Sequence, residues 1–510
     1  MADIVLVTFN ARYIHTAFGL RYLKANLGRL ADRCDILEFD LNRRPVEAME
    51  QVLSLSPKII GIGVHIWNVG LCERLLTLLK QVAPEITVVL GGPEVSHEIQ
   101  QRPWILTADV VVVGEGELAF QGVCEDLLSG GTIQNQVIQL SPPDPARLAL
   151  PYDLYSDTDI QNRLIYVEAS RGCPYTCAFC LSALDRSVRG FDLDLFLGAM
   201  QKLMDRGVGQ FKFVDRTFNL NIAICERILT FFLDRMRDGL FLHFEMIPDR
   251  LPEPLKALIQ RFPAGTLQFE IGIQTFDAEV AERIGRRQDA QQAEQNLLWL
   301  RNETEAHLHT DLIIGLPGEA VDGFGAAFDR LTALDPHEIQ VGILKRLPGA
   351  PISEHSEAFG MVYDAVAPYE ILCNNLIDFD TMQRLKRFAR YWDMIGNSGR
   401  FRTTKKALFC GEGAYQRFSV LSAWIYTETG QTHRIALRRL YGLVLRGLMD
   451  GVGVDGTTAL EYVSDDFKRS QPGEPVLFLD DIVTGQAKKQ QKRRSSATLV
   501  SRQKRHTQSA

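Results

Sequence analysis

Over residues 1–125, short apolar runs alternate with stretches of helical periodicity. The runs are Ile4-Val5-Leu6-Val7, Ile59-Ile60-Gly61-Ile62-Gly63-Val64, Thr87-Val88-Val89-Leu90 and Val110-Val111-Val112-Val113; Gly19 to Leu30 and Leu71 to Gln81 carry helical patterns. Continuous apolar strands separated by helices predict a parallel sheet covered on both faces, a doubly wound α/β domain. Ligands of such sheets sit at the carboxyl ends of the strands. Those ends read Thr8-Phe9-Asn10, Val64-His65-Ile66-Trp67, Gly91-Gly92-Pro93-Glu94 and Gly114-Glu115-Gly116-Glu117.

Beyond this first domain, set at residues 1–135, a linker is expected over 136–158, where Ser141-Pro142-Pro143-Asp144-Pro145 breaks the periodicity. A second β/α series fills 159–350, with strands at Leu164 to Ala169, Gln210 to Val214, Leu242 to Met246, Leu267 to Ile273, Thr310 to Ile314 and Glu338 to Leu344. Six such units predict a partial (β/α)6 barrel of TIM type, again working at its strand carboxyl ends. Residues 351–482 turn mainly helical, and 483–510 read as a disordered basic tail.

Composition, 46% hydrophobic and 23% charged, is that of a globular protein. The net charge is −7, yet residues 486–510 hold eight Lys/Arg and no Asp/Glu, leaving the rest of the chain at −15, with 48 basic against 63 acidic residues. An acidic body and a tail without interleaved aromatics oppose nucleic-acid binding. The apolar run Ile59 to Cys72 is too short for the ~20 residues of a membrane span. With strand-like residues directly after Met1-Ala2-Asp3 and no basic flank or cleavage site, a cytoplasmic protein is expected.

Three of the nine cysteines fall within eight residues, in Ser170-Arg171-Gly172-Cys173-Pro174-Tyr175-Thr176-Cys177-Ala178-Phe179-Cys180. Clustering of this kind in a cytosolic chain favours metal binding over disulfides. Zinc calls for four ligands, usually in CxxC pairs, and no second pair follows Cys180. Three thiolates suit a [4Fe–4S] cluster with one open iron. The CxxxCxxC spacing, directly after the first strand of the second series, resembles the radical S-adenosylmethionine (SAM) superfamily. That resemblance implies that Cys173, Cys177 and Cys180 hold the cluster, that SAM chelates the open iron, and that reductive cleavage yields a 5′-deoxyadenosyl radical. It also implies SAM contacts from Phe179, from Asp215 in Asp215-Arg216-Thr217-Phe218-Asn219, from Glu270 and Gln274 in Glu270-Ile271-Gly272-Ile273-Gln274, and from Gly315 in Asp311 to Glu319. Leu347-Pro348-Gly349-Ala350-Pro351 resembles a turn of the same proteins.

An α/β domain with Gly-rich rims ahead of such a barrel resembles the Rossmann-like cobalamin-binding domain of the B12-dependent radical SAM subgroup. The resemblance covers residues 1–480 and implies corrinoid contacts from Thr8, Asn10, His65, Gly91, Gly92, Gly114 and Glu115. Where many cobalamin proteins have a DxHxxG loop, this chain reads Arg12-Tyr13-Ile14-His15-Thr16-Ala17-Phe18-Gly19, without the Asp. The subgroup implies cobalamin with no protein His on cobalt. The implied activity is methyl transfer to an unactivated carbon of a small-molecule or peptide substrate, with flavodoxin or ferredoxin as reductant. Two alternatives stand beside it: a tRNA methylthiotransferase-like enzyme, whose first domain would gather three cysteines, and a non-catalytic cluster or corrinoid sensor. Cys34 precedes a strand while Cys72 and Cys124 fall in helical patterns, which weighs against the former.

Overall fold

The computed structural model describes residues 2–409 and 413–483; Cys410 and most of the expected basic tail lie outside the described residues. Contacts divide the chain into two units, Met1–Met382 and Gln383–Ala510.

The first unit contains two parallel sheets. Strands β1 (Ile4–Asn10), β2 (Cys34–Asp40), β3 (Ile59–Gly63), β4 (Thr87–Gly91), β5 (Val110–Val113) and β6 (Val137–Gln139) lie in the order β2-β1-β3-β4-β5-β6. All seven residues of β1 are buried, as befits a strand with neighbours on both sides and helices on both faces. The chain passes outward from β1 to β2 and then returns to β3 on the other side. This reversal opens a crevice at the carboxyl ends of β1 and β3. Two strands lie outside the apolar runs, one of them, β2, the strand expected after Cys34, which in fact begins at Cys34 itself. β2 is an edge strand with Asp35 and Glu38 in its run, and β6, inside the stretch expected to be a linker, offers only Val137 and Ile138.

The second sheet has the order β14-β13-β12-β11-β10-β7, all parallel: β7 (Ile165–Val167), β10 (Gln210–Phe213), β11 (Phe241–Met246), β12 (Leu267–Gln274), β13 (His307–Ile314) and β14 (Glu338–Ile343). β7 and β14 are not paired, so the barrel is open. Between β7 and β10, the short strands β8 (Ser170–Arg171) and β9 (Arg189–Gly190) pair antiparallel. A further antiparallel pair, β15 (Val362–Tyr363) and β16 (Ile371–Cys373), closes the unit. β12 and β13 alternate strictly between buried and half-buried positions. Phe269, Ile271, Leu308 and Leu312 therefore sit under the helices, and Glu270, Gly272, His309 and Asp311 share the inner face.

The second unit is helical in its described residues, with helices Arg402–Phe409, Ala414–Thr429, Leu437–Arg446, Gly456–Ser470 and Leu477–Val483. Its core is aromatic: Trp392 against Phe418 and Tyr441 against Phe467 meet edge to face. Buried Asp466 accepts the Thr403 and Thr404 amides at 2.9 and 2.7 Å, satisfying the first donors of helix Arg402–Phe409. Among the described residues no helix is long and apolar enough to cross a membrane.

Candidate active site

The cysteine loop follows β8. Gly172 has φ +88°, and a Cβ there would run into the Ser187 carbonyl, so the turn that delivers Cys173 requires glycine. The Cys173 amide donates to the Asp185 carbonyl at 3.1 Å, the Ala178 amide to Ile284 at 2.8 Å, and the Ile352 amide to Ala178 at 2.8 Å. Three distant segments thus fix the loop through its backbone. All three thiols are free and line one cavity of about 240 Å³ together with Phe179. Burial pushes the Cys173 thiol up, against the Tyr175 amide that favours its anion.

Among the described residues no three His, Cys, Asp or Glu side chains converge as a single metal ion requires. A [4Fe–4S] cluster makes a different demand, because each thiolate binds its own iron. Two guanidinium groups favour anionic sulfur there: Arg286 Nη1 stands 3.5 Å from Cys177 Sγ, and Arg216, 3.1 Å from Glu245, lines the same wall. Neither arginine was marked as a site residue, since nothing in the spacing of Arg286 ties it to the cysteine loop.

Glu270 and Gln274 also line this cavity. His243 Nε2 lies 3.2 Å from Glu270 Oε2, and that contact, outweighing burial, holds the Glu270 carboxyl down to about 2. Gln274 adopts φ +70° where the β12–β13 register shifts. Its Oε1 is buried without a hydrogen-bond partner among the described residues, and the buried Oδ1 of Asp311 has only a long contact, 3.5 Å from His309 Nε2. Burial, then the neighbouring Glu270 and Glu245, push the Asp311 carboxyl up. Acceptors this weakly engaged in a cavity wall suit a ligand bringing hydroxyl or ammonium donors, as SAM does. Glu270→Gln is expected to weaken SAM binding about tenfold, the worth of one charge-assisted hydrogen bond, with iron content unchanged. Equilibrium dialysis with labelled SAM checks this, and undiminished affinity would leave Glu270 only a structural role.

Asp215 and Gly315 are placed otherwise than expected. The Asp215 carboxylate accepts the Ala169 amide at 3.0 Å and the Ser170 hydroxyl at 2.7 Å, tying the ends of β7 and β10 together outside the cavity wall. Its burial pushes the carboxyl up to about 6. Gly315, at φ +90°, admits a close approach, but of Ile371 from β16: a Cβ would stand 2.8 Å from its Cγ2. Strand-end position was legible for both residues; the direction in which each loop turns was not.

The crevice at the first sheet opens into a mainly apolar cavity of about 590 Å³, closed on its far side by Tyr166, Glu168 and Val214 of the barrel. Asn10, His65, Gly91, Gly92, Gly114 and Glu115 all line it. His65 stacks on Trp67 with centroids 4.5 Å apart, and burial pushes its imidazole down to about 4, so it is neutral near pH 7. Thr8 is not in the wall; its hydroxyl donates to the Gly63 carbonyl at 2.7 Å and accepts from Asn68, spacing β1 from β3. At Gly92, φ +112°, a Cβ would strike the Val64 carbonyl, so this glycine serves the loop itself. At Gly91 the nearest obstacle to a Cβ is 3.8 Å away, which leaves the missing side chain as space on the cavity side. His15 Nδ1 lies 2.6 Å from the Tyr166 hydroxyl, joining the two domains. A flat ring pair, an apolar interior and glycines at the rim fit a corrinoid. Cys34, Cys72 and Cys124 are buried and divided between the two faces of this sheet, Cys72 in one core cluster and the other two in the opposite one. They form no ligand set for a second cluster.

Arg171, two residues ahead of Cys173, connects the cavities. It lies 2.9 Å from Glu115 and 2.8 Å from Glu117 and Glu168, and its guanidinium covers the Tyr22 ring at 4.5 Å. Glu115 also meets Arg189, so it anchors the rim rather than facing a ligand with a free carboxylate. Burial pushes the Glu168 carboxyl up to about 7, with Arg171 opposing. From about pH 4.5 to about 7 the folded chain therefore binds more protons at this position than the unfolded one, and stability falls as pH rises through that window. Glu168→Gln is expected to flatten part of this slope in thermal melts of the apoprotein between those pH values; an unchanged slope would mean that Arg171 keeps Glu168 ionised throughout.

Three family models match successive parts of the chain. Residues 4–124 match the B12 binding domain, residues 167–331 the radical SAM superfamily, and residues 357–507 a family described as a protein of unknown function (DUF4080). An uncharacterized methyltransferase of Pyrococcus horikoshii is 25% identical over 338 residues, 60% of this chain and 71% of the relative. The cobalamin-dependent radical SAM methyltransferase TokK of Streptomyces tokunonensis is 25% identical over 371 residues, 65% of this chain and 54% of the relative. In fold, the chain is similar to the radical SAM methyltransferase TsrM of Kitasatospora setae, solved with cobalamin and a [4Fe–4S] cluster, at a TM-score of 0.59 and 16% identity, covering 92% of this chain and 100% of that one. Fold and domain matches thus define a radical SAM type of enzyme with a B12 binding domain, and the two cavities are the candidate places for its cofactors. The chain carries a B12 binding domain, a radical SAM domain and a DUF4080 region in that order.

Proposed function

We propose that this chain is a cobalamin-dependent radical SAM methyltransferase acting on an unactivated carbon of a small-molecule or peptide substrate. The observation that carries the reading is the pairing of the two cavities, with Arg171 bonded to the corrinoid rim while it enters the cysteine loop. When bound, the cofactors supply reductive cleavage of SAM to a 5′-deoxyadenosyl radical and a transferable methyl group. The chain's own part is placement. Cys173, Cys177 and Cys180 hold the cluster with one iron open; Glu270, Gln274 and Asp311 receive the donors of SAM; Phe179 covers the same cavity. His65, Trp67 and Gly91 shape the corrinoid bed, and its apolar lining excludes water from reactive species. A low-potential electron donor such as flavodoxin or ferredoxin is proposed as the reductant.

The test is anaerobic reconstitution with iron, sulfide, cobalamin and SAM under a strong reductant, followed by chromatography for 5′-deoxyadenosine and S-adenosylhomocysteine. Both products support the reading. 5′-Deoxyadenosine alone, at every cobalamin concentration, would turn it into radical chemistry without methyl transfer, and neither product would favour a sensor.

A further inference from the structure

Between the two cavities the inner wall of the barrel carries a cation that the cofactor sites leave unused. Lys212 is the third residue of β10, between Phe211 and Phe213. Both phenylalanines are buried, packed on Phe232 of the covering helix, so alternation turns Lys212 to the inner face. Its lateral neighbours identify the place. On β7 it pairs with Tyr166, which lines the corrinoid cavity. On β11 it pairs with His243, the partner of Glu270 in the cluster cavity. Its charge reaches both sides: burial is the main cause that lowers the His15 pKa and the His243 contact the main cause that lowers that of Glu270, and Lys212 adds to each.

Lys212 itself is half-buried and has neither a hydrogen bond nor an ion pair among the described residues; Glu270 is already bridged by His243. The next strands add unused polar atoms on the same face. His243 Nδ1, on a side chain only 5% exposed, is buried without a hydrogen-bond partner among the described residues, and His309 Nε2 has only the Asp311 carboxylate, 3.5 Å away. A half-buried ammonium left unpaired costs solvation that a bound anion would restore.

We propose that Lys212 anchors an anionic group of the substrate, a carboxylate or a phosphate, on the barrel wall between the corrinoid and the cluster. This rests on the methyltransferase reading for the word substrate, but the anion site stands or falls by itself. An anion fixed here would hold its carrier against β10 and β11, beside Tyr166 of one cavity and beside His243, the partner of Glu270 in the other.

Probe binding tests this without turnover. Protein loaded with hydroxocobalamin and the oxidised cluster is titrated with hexanoate, hexyl phosphate and the neutral hexanamide, and affinities are read by ligand-observed saturation-transfer NMR. At least one anion is expected to bind about tenfold more tightly than hexanamide, the increment of one charge-assisted contact. Which anion wins decides between carboxylate and phosphate. Lys212→Met should erase the preference and Lys212→Arg should keep it, with iron and corrinoid content reporting that each variant is folded. Equal affinity for anions and amide, or a preference that survives Lys212→Met, would overturn the assignment. If the anion preference holds while no methyl transfer is found in the reconstituted enzyme, the site stands and the methyltransferase reading fails.

Discussion

Replacing Cys173, Cys177 or Cys180 with Ala is expected to abolish the reconstituted cluster and, with it, SAM cleavage. Each thiolate is expected to hold one iron, and the loop offers no fourth cysteine that could take over. The other described cysteines stand elsewhere: Cys34, Cys72 and Cys124 are buried in the first domain, Cys225 is buried in helix Ile222–Leu233, and Cys373 lies on β16. Cys373→Ala is accordingly expected to leave iron and sulfide content unchanged. Because the loop is held by its backbone, Gly172→Val provides a second route to the same loss with all three thiols present; its side chain would meet the Ser187 carbonyl in a left-handed conformation. Iron and sulfide analysis beside the visible absorbance of the anaerobic protein reads all of these variants. A triple-Ala variant that retained four irons and cleaved SAM would end the assignment of this site.

The second large effect is expected at the rim of the corrinoid cavity. Gly91→Phe should abolish retention of cobalamin, because the added ring enters the cavity where a Cβ meets nothing closer than 3.8 Å, and the sheet itself is left undisturbed. Gly92→Phe should fail differently, by unseating the loop from Val64, and so should lower thermal stability together with binding. His15→Ala should keep the corrinoid, since that imidazole is engaged with the Tyr166 hydroxyl, and bound cob(II)alamin should lack histidine nitrogen splitting in its electron paramagnetic resonance spectrum. Equilibrium dialysis against hydroxocobalamin, paired with melting curves, separates the two glycine variants. Cobalamin bound undiminished by Gly91→Phe would place the corrinoid elsewhere.

The sequence determined the parts whose cause is local. Buried central strands need unbroken apolar runs, so β1, β3, β4, β5 and the six barrel strands were visible within a residue or three of their ends. Thiolate chemistry needs its ligands close together, so the three cysteines announced themselves by spacing alone. What depends on edge position or on packing between distant segments was visible in part or not at all. β2, expected after Cys34 but without bounds, and β6 lie at the sheet margins and carry polar residues there. Asp215 and Gly315 occupy the expected strand ends, yet one carboxylate is taken up by the Ala169 amide and one close approach by Ile371. Arg286 and Lys212 look like any surface cation in the chain. Tertiary structure set the first beside Cys177, and strand alternation within an open barrel turned the second inward between two cavities. The reason is physical: a strand's apolar pattern records its own burial, whereas the partner of a charged side chain is chosen by residues as much as 109 positions away.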